Sequence, residues 1–196
     1  QKRPNSLPEL QAAAAIGQGK LIEVYNECLK KHGYHAAQLL LTRQDFEDRQ
    51  RYLNTCNTLH SLLNFKTIPI INENDTISVD EITFGDNDIL SALVTNLLQA
   101  DLLILLSSVD GLYTTPPASG KRCRVLSVVD SISDDIKKLA FKQKTKEGVG
   151  GMESKFEAAN IATGSGEAVI IANGMQSGIL SKIMNYDDVG TLFVPC

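Results

Sequence analysis

Two polar knots and one glycine-rich loop hold most of the residue types able to do chemistry in this chain. The first knot, Asn72-Glu73-Asn74-Asp75, abruptly ends the apolar run Ile68-Pro69-Ile70-Ile71. The second, Gly85-Asp86-Asn87-Asp88, opens an apolar helix pattern. Asp75 suits an ammonium partner, held by a charge-assisted hydrogen bond. Asn72 and Asn87 each offer a donor and an acceptor. Asp86 fits a helix cap, because a carboxylate at a helix start meets unpaired N–H groups and the positive end of the dipole. Asp88 is better placed to steer a lysine ammonium, as phosphoryl transfer requires, since that chemistry depends on positioning and charge neutralisation.

The loop is Glu147-Gly148-Val149-Gly150-Gly151, followed by a helix that begins Met152-Glu153-Ser154-Lys155. Glycines let backbone N–H groups turn toward a ligand and let a phosphate approach closely. The helix N-terminus adds unpaired donors and partial positive charge, and Lys155 lies within reach of a phosphate held there. The same residues also suit an ordinary loop and helix start with Lys155 solvated. The spacing is neither that of a P-loop nor that of a dinucleotide fingerprint. A third feature is the buried run Leu102-Leu103-Ile104-Leu105-Leu106, which ends in Ser107 and Ser108 and then in Asp110-Gly111-Leu112-Tyr113. The two hydroxyls can donate to phosphate, and Tyr113 could line an adenine pocket or simply pack. An ordinary strand-end turn accounts for them equally well.

These features need elements to carry them, and the chain supplies an alternation of helix and strand patterns. Helices are expected over Leu10–Leu29 (with an interruption near Gly17-Gln18-Gly19), Asp45–Asn64, Asn87–Gln99, Ser133–Phe141, Met152–Thr163 and Ile179–Met184. Ser6, Pro8 and Glu9 form a start signal for the first, and Lys30-Lys31-His32-Gly33 its stop. Strands are expected over Tyr34–Thr42, Thr67–Ile71, Asp101–Ser107, Arg124–Val129, Glu167–Ala172 and Gly190–Val194. The third is expected to be central and buried on both faces. Ile77 to Phe84 alternates apolar and polar residues, the pattern of a hairpin flap over a sheet end. The whole predicts an α/β fold, an open and mostly parallel sheet with helices on both faces and right-handed crossovers. In such sheets ligands bind beyond the carboxyl ends of the strands, where both knots fall.

Composition bounds the rest. The chain has 196 residues, 43% of them hydrophobic and 21% charged, with a formal net charge of −4. That length and balance suit an ordinary globular core and leave no basic footprint for nucleic acid. No apolar run approaches the ~20 residues needed to span a bilayer, so neither nucleic acid nor membrane is expected as a partner. Cys28, Cys56, Cys123 and Cys196 are widely spaced, which fits free thiols in a cytoplasmic setting. His32 and His35 lack a nearby third ligand, and no protein metal site is expected.

Taken together, Ile-Ile-Asn-Glu-Asn-Asp ending at Asp75, Phe-Gly-Asp-Asn-Asp-Ile-Leu-Ser-Ala from Phe84, Asp-Gly-Leu-Tyr-Thr from Asp110 and Gly-Gly-Met-Glu-Ser-Lys ending at Lys155 resemble the glutamate 5-kinases, members of the amino-acid kinase family. Leu40 to Asn54 matches the same family, and the likeness runs from about Leu10 to Val194. The resemblance implies a three-layer αβα sandwich. It also implies ATP-dependent phosphorylation of the γ-carboxylate of L-glutamate in proline biosynthesis, with Mg²⁺ bridging phosphate oxygens. By the match, Asp75 and Asn87 bind glutamate with Asn72 nearby. Ser107 and Ser108 border the nucleotide, as do Val149, Gly150, Gly151, Met152, Glu153, Ser154 and Lys155. Lys155 stabilises the transferring phosphoryl group and Asp88 orients the catalytic lysine machinery. Proline is implied as a feedback ligand and a homo-oligomer as the assembly.

Three departures stand out. The family's N-terminal strand, with its phosphate-facing lysine and glycine-rich turn, has no counterpart here, nor has the small-residue loop after it. Residues 1–196 are therefore expected to form one amino-acid kinase domain that is incomplete at its N-terminus. Ser108 stands where the family usually has Asp, and Val149 where Thr is common. The RNA-binding-like C-terminal domain of many members is also not matched. Other readings remain open: a sibling kinase acting on N-acetylglutamate, aspartate or UMP, the kinase half of a bifunctional pyrroline-5-carboxylate synthase, or a non-catalytic amino-acid-sensing domain. Asp75 weighs against an acylated amine, because a carboxylate there wants a free ammonium.

Overall fold

A computed structural model describes residues 6–77, 87–115, 123–142 and 151–196. The chain divides into two compact units, Gln1–Asn87 and Asp88–Cys196.

The first unit opens with α1 (Leu7–Lys30), started by Ser6, whose backbone N–H donates to Glu9 Oε2 at 3.4 Å. The helix runs unbroken through Gly17-Gln18-Gly19, so the expected interruption does not occur. An exposed glycine pair lowers helix propensity by about 1 kcal/mol each; the ten alanine, leucine and isoleucine residues of α1 keep the helix continuous. β1 (His35–Leu41) and β2 (Thr67–Glu73) pair in parallel, with Leu41 beside Glu73. Between them the single helix expected over Asp45–Asn64 is two: α2 (Gln44–Glu47) and α3 (Arg49–Asn64). The break is at Asp48, whose extended backbone and carboxylate, accepting from Arg51 N at 2.9 Å, make it the cap of α3. α1 packs against β1 and α3 against β2.

The second unit contains α4 (Asn87–Leu98), β3 (Leu102–Ser107), β4 (Val128–Val129), α5 (Asp134–Lys142), α6 (Met152–Gly164), β5 (Ala168–Asn173), α7 (Ile179–Met184) and β6 (Thr191–Phe193); Asn87, the first residue of α4, belongs to the first unit. The strands lie in the order β3-β5-β6-β4. β3–β5 and β4–β6 are parallel, and β5–β6 is antiparallel. The α/β class and the open, mostly parallel sheets agree with the sequence. Two details do not. The described strands form two sheets rather than one, and β3 is an edge strand among them rather than a central one. Leu106 on that edge is 47% exposed, although the apolar run around it reads as buried on both faces. A run of leucines cannot distinguish a strand flanked on both sides from one flanked on one.

The core of this unit gathers Ala92 from α4, Leu103 and Leu105 from β3, Ala158, Ala159 and Ala162 from α6, and Val169 and Ile171 from β5. Phe156 and Phe193 meet edge to face within it, with ring centroids 6.3 Å apart. Two glycines hold close approaches. A Cβ at Gly111, where φ is +149°, would stand 2.5 Å from Thr191 Oγ1. At Gly190, where φ is +79°, it would stand 2.5 Å from the Ile171 carbonyl oxygen. These contacts draw the turn after β3 and the start of β6 together, and Leu112 N–H donates to Thr191 Oγ1 at 2.9 Å. The strand expected over Arg124–Val129 is shorter than its pattern: Val125 forms only an isolated bridge to Tyr113. Of the expected hairpin flap only Ile77 is among the described residues.

Candidate active site

In the first unit the carboxyl end of β2 carries the first knot. Asn74 shapes the turn that follows: its N–H donates to the Leu41 carbonyl at 2.8 Å, its own carbonyl accepts from Ile77, and its side-chain oxygen accepts from the Thr76 hydroxyl. Asn72 Oδ1 accepts twice at 2.9 Å, from Glu73 N–H and from Asn87 Nδ2. The two asparagines that the sequence singled out, fifteen positions apart, are therefore bonded to each other. Among the described residues this leaves the Asn72 amide nitrogen as an available donor and the Asn87 amide oxygen as an available acceptor. Asp75 sits exposed on the turn, and among the described residues no cation pairs with it. Partial desolvation still pushes its carboxyl above the usual range.

The second unit carries a separate group of candidate residues. Asp88 stands in the first turn of α4, where the helix dipole favours a negative charge. Its Oδ2 accepts from Lys155 Nζ at 2.8 Å and from Ser154 Oγ at 2.9 Å. The Ser154 hydroxyl also lies 2.9 Å from the Gly151 carbonyl. It has one proton, and the charged acceptor is the stronger competitor for it. The Lys155 and Asp88 side chains are only 12% and 14% exposed. An ammonium has three N–H donors, so the contact with Oδ2 leaves two for a ligand. Lys155 is thus held in place without being consumed.

Gly151 caps α6 in extended conformation, ahead of backbone N–H groups that the helix cannot satisfy internally. Met152 is 3% exposed and packs in the core, so only its backbone could face a ligand, whereas the Glu153 side chain is exposed. Ser107 ends β3, and its carbonyl accepts from Gly174 N–H at 2.8 Å; Ser108 is exposed beyond it. Val149, Gly150 and Asp86 lie outside the described residues.

One cluster was not anticipated. Asp110 Oδ1 accepts from Asn173 Nδ2 at 2.9 Å and Gln176 Nε2 at 3.2 Å, and Oδ2 accepts from Tyr113 OH at 3.1 Å. The Asn173 amide leads these donors in holding the Asp110 carboxyl below its usual range. Burial pushes the Tyr113 phenol up. The available signal was that two strands both end in polar residues followed by glycine, Asp110-Gly111 and Asn173-Gly174. Their adjacency depends on β3 pairing with β5.

A model of the amino acid kinase family matches residues 1–173. A glutamate 5-kinase from a Thermoanaerobacter species is 48% identical over 194 residues, which is 99% of this chain and 52% of that protein. One from Clostridium acetobutylicum is 45% identical over 194 residues, 99% of this chain and 73% of that protein. The chain spans about half the length of the first of these relatives. Among solved structures, carbamate kinase from Giardia lamblia bound to AMP-PNP superposes with a TM-score of 0.63 at 15% identity, covering 95% of this chain and 73% of that one. UMP kinase from Bacillus anthracis gives a TM-score of 0.51 at 16% identity over 74% of this chain and 51% of that one. At these identities the structural likeness is one of fold.

Proposed function

The chain belongs to the amino acid kinase family, and from that premise we propose that it is a large part of a glutamate 5-kinase, phosphorylating the γ-carboxylate of L-glutamate with ATP in proline biosynthesis. The observation that carries the phosphoryl-transfer half of this reading is the Lys155–Asp88 contact at 2.8 Å, made at the starts of two helices. The identity of the acceptor rests on relatives named glutamate 5-kinase at 45–48% identity across nearly the whole chain.

In this reading a γ-carboxylate oxygen of glutamate attacks the γ-phosphorus of ATP. The bond to the β,γ-bridging oxygen breaks, and ADP leaves with that electron pair. The carboxylate is already ionised at neutral pH, so no general base is required. Catalysis then consists of alignment and neutralisation of charge. Lys155 contributes the two donors not used by Asp88 to the transferring phosphoryl oxygens, and Asp88 fixes where that ammonium sits. Gly151 to Ser154, with Val149 and Gly150, supply backbone donors to the phosphates, and Ser107 and Ser108 border the nucleotide. Asp75 receives the α-ammonium of glutamate. The Asn72 amide nitrogen suits a substrate carboxylate, and the Asn87 amide oxygen suits an N–H donor. Mg²⁺ bound with ATP would neutralise phosphate charge.

Residues 1–196 are read as part of one amino-acid kinase domain. A homo-oligomer, a cytoplasmic location and proline as a feedback ligand belong to the same proposal. Proline carries the ammonium and carboxylate that Asp75 and Asn72 would hold. No described helix is long and apolar enough to cross a membrane.

The test uses the full-length protein with ATP, Mg²⁺, glutamate and hydroxylamine. A glutamyl hydroxamate is expected. Hydroxamate from N-acetylglutamate but not from glutamate would replace the substrate. ATP binding without turnover of any acceptor would favour a sensing domain.

A further inference from the structure

We propose that Asp110 is a positioning residue for the nucleotide, tying the loop after β3 to the loop after β5 and fixing the Tyr113 phenol at the carboxyl ends of those two parallel strands. The inference rests on the kinase reading, which puts the nucleotide beside Ser107 and Ser108.

A single carboxylate joins three places far apart in the chain. Its own position lies two residues after Ser108, beyond Val109. Asn173 is the last residue of β5, and Gln176 lies between β5 and α7. The arrangement is fully bonded on the partner side as well. The Asn173 amide donates to Asp110 at 2.9 Å while its oxygen accepts from Met175 N–H at 2.9 Å. Gly174 N–H closes the same gap through the Ser107 carbonyl. A Cβ at Gly174 would stand 3.1 Å from Leu106 Cβ, so the two loops approach as closely as their backbones allow. Tyr113 receives its orientation from both sides, by its hydroxyl on Asp110 and by the backbone bridge to Val125.

Two features separate this tie from ordinary loop packing. The first is its location: β3 and β5 are parallel neighbours, and the carboxyl ends of parallel strands are where open α/β sheets bind ligands. The second is its chemistry. Three neutral donors converge on one carboxylate, and the Asn173 amide leads in holding it below its usual range. A loop that needed only to be closed could be closed by backbone bonds, and the Gly174–Ser107 bond already does so. The additional carboxylate specifies where the Tyr113 hydroxyl and the Gln176 amide lie, and those are the groups that would meet a base or ribose beyond Ser108.

The experiment uses the full-length protein and two readouts for each variant: steady-state kinetics, and titration with a fluorescent ATP analogue, which needs no turnover. Asp110→Ala should raise the ATP KM and weaken the analogue by roughly 10-fold or more, the scale of losing hydrogen bonds to a charged group. The rise should fall on ATP rather than on the glutamate KM. Asp110→Asn can keep its amide oxygen as acceptor toward the two amides while its amide nitrogen donates to the Tyr113 hydroxyl oxygen, and should restore most of the affinity. Tyr113→Phe and Gln176→Ala each remove one strand of the tie and should shift ATP affinity in the same direction by less. They decide the matter if Asp110→Ala does not fold. An Asp110→Ala protein with a lower melting temperature but unaltered ATP KM and analogue affinity would reduce the cluster to architecture and overturn the proposal. A rise confined to the glutamate KM would overturn it too. If the unmodified protein makes no acyl phosphate while Asp110→Ala still weakens the analogue, the kinase reading fails and this inference stands.

Discussion

The two units of the chain handle charge in opposite ways at their candidate residues. In the second unit Asp88 and Lys155 neutralise each other at 2.8 Å, with the Ser154 hydroxyl beside them and both side chains mostly buried. In the first unit Asp75 stands on a turn with no cation among its described neighbours, and its carboxyl is pushed up by desolvation. The asparagines beside it bond to each other and keep one donor and one acceptor unused. Among the described residues, the half of the chain with Asp88 is completed by the protein and the half with Asp75 is left open. The difference fits what each would hold in the proposed reaction. A transferring phosphoryl group is present briefly, so its partner must be in place beforehand. A bound amino acid brings its own ammonium and can satisfy a waiting carboxylate itself.

The largest expected effect tests the completed half. Lys155→Ala should cut turnover by at least ~100-fold, the scale of losing one stabiliser of transition-state charge. Hydroxamate formation measures it, and an unchanged rate would remove Lys155 from the mechanism. Asp88→Ala comes next and acts on stability as well as rate. Removing one member of a buried pair costs about 3 kcal/mol or more, because the other charge is left stranded. The double variant lacking both side chains should therefore be more stable to denaturant than Asp88→Ala alone. Strict additivity would mean that the pair is not coupled and would dissolve the contrast with Asp75.

Asp75 should behave in the reverse manner. Asp75→Ala should raise the glutamate KM by roughly 10-fold or more, the loss of a charge-assisted hydrogen bond, and leave the ATP KM alone. Its effect on stability has a definite sign. The folded protein holds the Asp75 proton more tightly than the unfolded chain does, because the folded pKa is raised. Its contribution is therefore full below the unfolded pKa and is lost as pH rises through the raised value. Asp75→Asn removes that loss and should leave the melting temperature at neutral pH unchanged or higher. A clear drop would show that Asp75 is paired in the free protein, and the comparison would fail.

Much of this was legible in the chain. Apolar runs that stop at Asn72 and Ser107 mark strand ends, and polar residues ahead of Ile89 and Phe156 mark helix starts, because those features follow from periodicity and capping over a few neighbouring positions. The continuity of α1, the cap at Asp48 and the edge position of β3 were not legible. Helix continuity depends on the residues surrounding a weak glycine pair. Asp48 reads as one more polar residue within a helical pattern. An edge strand and a central one share the same leucines.

What the sequence by itself determined is the inventory and its order: a carboxylate and two amides at a strand end and a helix start, then an acid, a glycine loop and a lysine. Local spacing suffices for that, because strand ends and helix starts gather residues that are close in the chain. What only the tertiary structure decided is which of the acids is already satisfied. Lys155 reaches Asp88 across 67 positions, and Asn173 reaches Asp110 across 63. Such partners are chosen by which helix packs where and which strand lies beside which, and the spacing of residues along a single segment contains no record of either.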